Sequence, residues 1–160
     1  MVMQIVAKRM IATDTVKSFF MQHWETTQVV FSRGLFHYAE LEGFGVMDEN
    51  EKITGLGTYK MANQVCQIIS LNSEHEKQGV GSSLLYVIEN IAKEKNCHTI
   101  KAITTNDNLQ ALKFFQKRGY VISEIVKNAV EESRKIKPEI PFYSFDGIPV
   151  RDEIILEKYL

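Results

Sequence analysis

A strand-like segment that leads through two glycines into a long amphipathic helix sets the tightest limit on the fold. Residues 65–72, VCQIISLN, favour a strand, and HEKQGVGSSLLYVIENIAKEK follows soon after, from His75 to Lys95. Behind Gly79 and Gly81, apolar residues recur at helical spacing: Val80, Leu84, Leu85, Val87, Ile88 and Ile91. We therefore predict a helix from about Gly79 to Lys95 that buries one face.

The two glycines leave bare backbone at the amino end of this helix. The first N–H groups of a helix have no acceptor within it and lie at the positive end of its dipole. Glycine lets a phosphate approach these groups closely, and Ser82 and Ser83 add hydroxyl donors. The pattern predicts a pyrophosphate site over about Gln78 to Ser83, with an unliganded strand-to-helix turn as the alternative.

Two well-known nucleotide motifs do not fit these glycines. A phosphate loop of the NTPase type has a lysine after its last glycine, whereas Ser82 follows Gly81 in this chain. The dinucleotide fingerprint has a third glycine, at the position of Leu84. The sequence therefore does not support NTP hydrolysis or a dinucleotide site.

The remaining patterns predict an antiparallel meander followed by alternating strands and helices, in one α/β domain spanning residues 1–160. The expected strands lie at residues 4–11, 44–47, 53–60, 65–72, 98–105, 120–126 and 153–159. A helix capped by Asp14 presents Val16, Phe19, Phe20 and Trp24, and a second capped helix covers residues 108–118. All three prolines lie between Ser133 and Asp152, which predicts an ordered loop there.

Composition excludes several classes of function. The formal net charge is −1, from 19 basic and 20 acidic residues with no basic block, so a nucleic-acid partner is not expected. We see neither a signal peptide nor an apolar run of about 18 residues, and we expect a cytoplasmic protein without a membrane partner. Cys66 and Cys97 are isolated, without metal-ligand spacing, and we expect two reduced packing residues and no metal.

A second motif supports the first. NLQALKFFQKRGY begins with a natural N-cap, Asn108, and ends at a glycine stop, Gly119. Together QGVGSSLL and NLQALKFFQKRGY resemble the patterns [QR]xxGx[GA] and NxxAxxFYxxxGF of the GNAT superfamily of N-acetyltransferases, which bind acetyl-CoA. The resemblance implies the GNAT fold: a mixed central sheet with an antiparallel amino-terminal meander and splayed parallel central strands, flanked by helices.

The same resemblance implies a role for each matching residue. The backbone of Leu71 and Ser73 would serve the acyl and pantetheine portion of acetyl-CoA, and residues 78–83 would hold its pyrophosphate. Thr105 and Asn108 would lie at the opening between the splayed strands. The full set of expected coenzyme residues is Leu71, Ser73, Gln78, Gly79, Val80, Gly81, Ser82, Ser83, Thr105, Asn108, Ala111, Phe114 and Phe115.

Three departures from the family pattern bear on catalysis. Glu76 stands at the first position of the pyrophosphate motif, Phe115 replaces the tyrosine that protonates the leaving thiolate, and Gln67 replaces a glutamate base. Because an acceptor amine must be neutral to attack, the nearest titratable candidates for a base are Glu74 and His75. The backbone N–H near Leu71 would polarise the thioester carbonyl.

The acceptor is expected to contact regions outside the coenzyme motifs. Candidate substrate-binding residues are Trp24, Arg33, Tyr59, Tyr143 and Asp152, with Arg33 suited to a carboxylate. We predict direct acetyl transfer from acetyl-CoA to a primary amine of a small molecule, and leave a homodimer open. The alternatives are a non-catalytic acyl-CoA-binding or sensing domain and an acetyltransferase for protein amino termini or lysines.

Overall fold

The computed structural model describes residues 4–74 and 79–160. In this part of the chain there are nine strands and four α-helices. The strands are β1 (Gln4–Ala7), β2 (Gln28–Phe31), β3 (Gly34–His37), β4 (Glu42–Met47), β5 (Ile53–Ala62), β6 (Val65–Ser73), β7 (Thr99–Thr105), β8 (Val121–Val126) and β9 (Glu153–Tyr159). The helices are α1 (Thr13–Trp24), α2 (Val80–Glu94), α3 (Leu109–Gln116) and α4 (Ala129–Ile136).

The chain divides into two compact units. The first contains residues 1–29, 36–100 and 160, and the second contains residues 30–35 and 101–159. In the first unit, β1, β4, β5 and β6 form an antiparallel meander in that spatial order. In the second unit, β9 lies between β7 and β8 and pairs with β8 in the antiparallel sense.

A β-bulge changes the pairing of β6 with β5 partway along the strand. Thr58 is opposite Ser70, but the next residue of β5, Tyr59, is opposite Ile68, so Ile69 is the extra residue. Thr58 and Ser70 are both buried and their hydroxyl groups share a hydrogen bond of 2.5 Å. The bulge therefore lies inside the core, two residues before Leu71.

Helix α2 packs on the meander where β5 lacks side chains. A Cβ at Gly55 would collide with Cγ1 of Val80, and a Cβ at Gly57 would lie only 2.9 Å from Cδ1 of Ile88. Val80, Leu84 and Ile88 are buried in this contact. The two glycines therefore allow the helix to approach β5 closely, and they fix the height of its first turn above the sheet.

Most predicted elements are present, with corrections at the ends. The helix at residues 80–94 and the strand at residues 153–159 are confirmed. β1 stops at Ala7, because a 3-10 turn follows it at Lys8–Met10. The predicted cap at Asp14 is wrong: α1 begins at Thr13 behind Ala12, which makes no side-chain cap, and Asp14 lies within the first turn.

The short hairpin β2–β3 and the helix α4 were not predicted. Each hairpin strand has only four residues, too few for a clear alternation. α4 is eight residues long with only three buried, Ala129, Val130 and Ser133, although its acidic first turn and basic last turn are helix signals. The predicted proline-rich loop therefore begins after Ile136 rather than at Ser133.

Candidate functional site

The amino end of α2 presents open backbone, as the glycine pattern predicts. Gly79 precedes the helix in a left-handed conformation, with φ 78° and ψ 6°, and makes no side-chain cap. Its carbonyl accepts the N–H of Ser83 at 3.0 Å. A Cβ at Gly79 would meet no described heavy atom within 4 Å, so the turn has free space on its outer side. This geometry suits an anion at the helix N-terminus.

The structure brings the end of β6 next to this turn. Leu71 packs on a cluster formed by Val46, Val80 and Leu84, so its side chain faces α2. Ser73, the last residue of β6, is opposite Gly55, and the missing side chain of Gly55 makes room for Val80. Three predicted coenzyme residues, Leu71, Ser73 and Val80, therefore lie together in the first unit.

Glu74 follows β6 and is held in place by two contacts. Its N–H donates to the carbonyl of Thr54 at 2.9 Å, and its carboxylate lies 3.7 Å from the ammonium group of Lys52. Its side chain is only 13% exposed. The carboxylate predicted as a base is therefore fixed near the end of β6. The other predicted base, His75, and the predicted coenzyme residue Gln78 lie outside the described residues.

Trp24 reaches the same end of β6 from the carboxyl end of α1. Its indole N–H donates to Oδ1 of Asn72 at 2.7 Å, and its ring stacks on Phe20 with centroids 6.0 Å apart. Because side chains alternate along a strand, Asn72 faces the side opposite to Leu71. Trp24 therefore lies next to the strand that carries Leu71 and Ser73, on the face away from α2.

The carboxamide and aromatic residues of the second motif shape α3 in the second unit. Oδ1 of Asn108 accepts the N–H of Ala111 at 3.1 Å, which confirms the predicted N-cap, and the N–H of Asn108 donates to Thr105. The guanidinium group of Arg118 lies 3.8 Å from the ring centroid of Phe114. Phe115 is buried, edge-on to Phe114 and to Tyr120. Their coenzyme roles stay predictions.

The candidate acceptor residues of the second unit are engaged within the protein. Arg33 makes a bidentate ion pair with Glu124, at 2.7 and 3.2 Å, and this contact raises the pKa of the Arg33 guanidinium. Asp152 accepts hydrogen bonds from Arg151 and from the N–H of Asn128, and both lower the pKa of its carboxyl group. Asp152 thereby fixes the start of α4.

The two tyrosines predicted to bind the acceptor, Tyr59 and Tyr143, lie in different surroundings. Tyr143 is exposed and pairs with Pro149 in an isolated bridge within the proline-rich loop. Tyr59 is buried beside Ile91 and Lys95, at the carboxyl end of α2. A helix of 15 residues is roughly 22 Å long, so Tyr59 lies far from Gly79. The structure does not bring Tyr59 together with the glycine turn.

Sequence reasoning missed two kinds of residue around the glycine turn and the end of β6. Gly55 and Gly57 have a visible signal, the GxG of ITGLGTY, which marks close approach to a strand. Asn72 has no local signal, because its partner Trp24 is 48 residues away.

Neither a metal cluster nor a membrane span occurs within residues 4–74 and 79–160. These residues contain no group of three or more His, Cys, Asp or Glu side chains arranged to hold a metal ion. Over the same ranges, no helix is both long and apolar enough to cross a membrane.

Comparisons with known proteins agree with the predicted fold. The model of the acetyltransferase (GNAT) family matches residues 9–120. Protein YxbD of Bacillus subtilis (strain 168), described as uncharacterized, is 44% identical over 158 residues, 99% of each chain.

Among solved structures, a Bacillus subtilis acetyltransferase in complex with CoA has a TM-score of 0.71 at 18% identity, over 99% of each chain. A GNAT family acetyltransferase from Elizabethkingia anophelis with acetyl-CoA bound has a TM-score of 0.70 at 21% identity, over 99% of this chain and 98% of that one. These likenesses confirm the predicted fold class.

Proposed function

The chain belongs to the acetyltransferase (GNAT) family, and from that premise we propose that it transfers the acetyl group of acetyl-CoA to a primary amine of a small molecule. The observation that carries the proposal is the amino end of α2, where Gly79 leaves open backbone beside the end of β6. The two solved acetyltransferases, bound to CoA and to acetyl-CoA, support the same coenzyme for this chain.

The coenzyme residues of the first unit divide into two groups. Residues 79–82 hold the diphosphate through backbone N–H groups, and the hydroxyls of Ser82 and Ser83 add two further donors. Leu71 and Ser73, which pack or pair beside Val80, offer backbone groups to the pantetheine and acyl portions. These assignments need only backbone donors and small side chains, which this end of α2 provides.

The transfer is a direct attack in a ternary complex. The neutral amine nitrogen attacks the thioester carbonyl, a C–N bond forms, the C–S bond breaks, and CoA leaves as its thiolate. The N–H near Leu71 stabilises the negative charge that develops on the carbonyl oxygen. A thiol with a pKa of about 8.5 leaves readily near neutral pH, so phenylalanine at position 115 slows the reaction without preventing it.

Glu74 is the described residue best placed to take the proton of the attacking amine. Its carboxylate is fixed after β6 by Lys52, at the end of the strand that carries Leu71 and Ser73. It would act directly or through one water molecule. Trp24 forms part of the acceptor wall next to this strand, and Arg33 binds an acceptor carboxylate when it leaves Glu124.

Binding of acetyl-CoA is tested with Gly81→Val, measured by calorimetric titration. A branched side chain would stand where the diphosphate approaches α2, so we expect loss of binding with a native circular dichroism spectrum. Tyr86→Val is the control, because Tyr86 is exposed on the same helix. Unchanged affinity in a folded Gly81→Val variant would remove the site assignment.

Catalysis is tested by thiol release from acetyl-CoA with a panel of small amines, peptides and proteins. A small-molecule acetyltransferase releases CoA with small amines, while release with peptides alone would favour a protein acceptor. The missing tyrosine and glutamate, at Phe115 and Gln67, favour an acyl-CoA sensor as the second candidate. Tight acetyl-CoA binding with no release for any acceptor would identify that sensor.

A further inference from the structure

A cavity of about 340 Å³ opens at the carboxyl end of α2, away from the glycine turn. Strand β4 contributes Glu42, the turn after β5 contributes Gln64, and the end of α2 contributes Ile91 and Lys95. Its volume is at the lower end of the range for small-molecule sites, which suits a ligand of about ten heavy atoms. The length of α2, roughly 22 Å, separates this cavity from Gly79.

Opposite charges line the rim of the cavity without neutralising each other. Glu42 and Lys95 are exposed, and neither has an ion-pair partner in residues 4–74 and 79–160. The backbone carbonyl of Gln64 accepts the N–H of His98 at 2.8 Å, which fixes this part of the turn. Its side-chain amide makes no hydrogen bond within residues 4–74 and 79–160. A carboxylate, an ammonium group and an amide are therefore available to one ligand.

The inner wall of the cavity is apolar except for the hydroxyl group of Tyr59. Met61 and Ile91 are partly buried, and the ring of Tyr59 is 5% exposed and stacks on Phe44. Burial raises the pKa of the Tyr59 phenol to about 12, so the hydroxyl keeps its proton at every physiological pH. A short aliphatic group fits against this wall, while charged groups on the same ligand reach the rim.

We propose that this cavity binds a free α-amino acid with an aliphatic side chain, such as leucine. Lys95 pairs with its carboxylate, Glu42 pairs with its ammonium group, and Met61 and Ile91 contact its side chain. A zwitterion satisfies both rim charges, whereas a simple amine or a simple acid satisfies one. The site is separate from acetyl transfer and does not depend on the proposed function.

Three ligands of the same carbon skeleton test the charge requirement on the full chain. L-leucine carries both charges, 3-methylbutylamine lacks the carboxylate, and 4-methylpentanoate lacks the ammonium group. In calorimetric titrations we expect leucine to bind at least about tenfold more tightly than either analogue, since each loses one charge-assisted contact. No detectable leucine binding at about 10 mM, or equal affinity for all three ligands, would overturn the proposal.

Matched variants locate the binding. Glu42→Gln and Lys95→Gln each remove one rim charge, and we expect each to weaken leucine binding about tenfold. Glu40→Gln and Lys93→Gln change exposed residues close by in the sequence and should leave the affinity unchanged. Equal leucine affinity in all four variants would place leucine elsewhere and overturn the proposal. Absence of acetyl transfer would remove only the proposed function.

Discussion

Arg33 illustrates at the scale of single residues how an ion pair limits what a side chain can do. Both partners are exposed, and Glu124 occupies both ends of the guanidinium fork. The contact raises the pKa of Arg33 and lowers that of Glu124, so the pair stays charged across the physiological range. An exposed pair of this kind exchanges readily with another carboxylate, because water screens both charges. If Arg33 binds the acceptor as proposed, we expect an acceptor carboxylate to compete with Glu124.

This competition predicts opposite effects for the two partners. Arg33→Ala should raise KM for amines that carry a carboxylate, and Glu124→Gln should lower it, each roughly fivefold, as for one exposed ion pair. KM for uncharged amines should stay the same in steady-state assays. Glu132→Gln, which removes the exposed ion pair with Lys135, is the control. Equal changes for both kinds of amine would mean that Arg33 only fastens its loop.

At the scale of elements, the glycines of β5 control where α2 begins. Gly55 lies under Val80, the first residue of the helix, whereas Gly57 lies under Ile88, in its second half. A side chain at either position must push α2 away from the sheet or force its neighbour into another rotamer. A displacement under Val80 acts on the turn that contains Gly79 and Gly81, whereas a Cβ at Gly57 would press on Ile88 and on Cδ1 of Leu71.

The pair Gly55→Ala and Gly57→Ala separates stability from coenzyme binding. Both should lower the free energy of unfolding by about 1–3 kcal/mol, because both overpack the same interface. Gly55→Ala should weaken acetyl-CoA binding about tenfold more than Gly57→Ala in calorimetric titrations. Similar losses of affinity in both variants would show that the height of the first turn does not control the site.

Elements with strong local signals could be predicted from the sequence, and distant partners could not. The cap at Asn108 and the strand at residues 153–159 follow from capping and alternation, and both are present. The contacts of Arg33 with Glu124 and of Trp24 with Asn72 join residues 91 and 48 positions apart, so no local pattern indicates them. The four-residue strands of β2 and β3 are too short to leave a periodic signal.

For the whole molecule, a buried phenol and a buried thiol make the free energy of unfolding depend on pH in the alkaline range. Burial raises the pKa of the Tyr59 phenol and of the Cys66 thiol to about 12, from 10.0 and 9.0. The unfolded chain loses these protons first, so the free energy of unfolding should fall as pH rises from about 9 to 12. The slope of the free energy of unfolding against pH reports the difference in bound protons between the two states. In urea unfolding, Tyr59→Phe should reduce this slope above about pH 10, by the equivalent of up to about one proton. Tyr86→Phe, at an exposed position, is the control.

The bulge at Ile69 determines which side chains of β6 point to each face of the sheet. Gln67 is opposite Lys60 and Ser70 is opposite Thr58, so the extra residue lets side chains three positions apart point to the same face, the one toward Trp24 and Asn72. Deleting Ile69 would remove the bulge, but Ile68 would stay opposite Tyr59 and Ser70 opposite Thr58, so every side chain of β6 would keep its face. Forcing regular pairing on the strand with Ile69 still present would instead turn every side chain on one side of it to the other face, without any change in its identity.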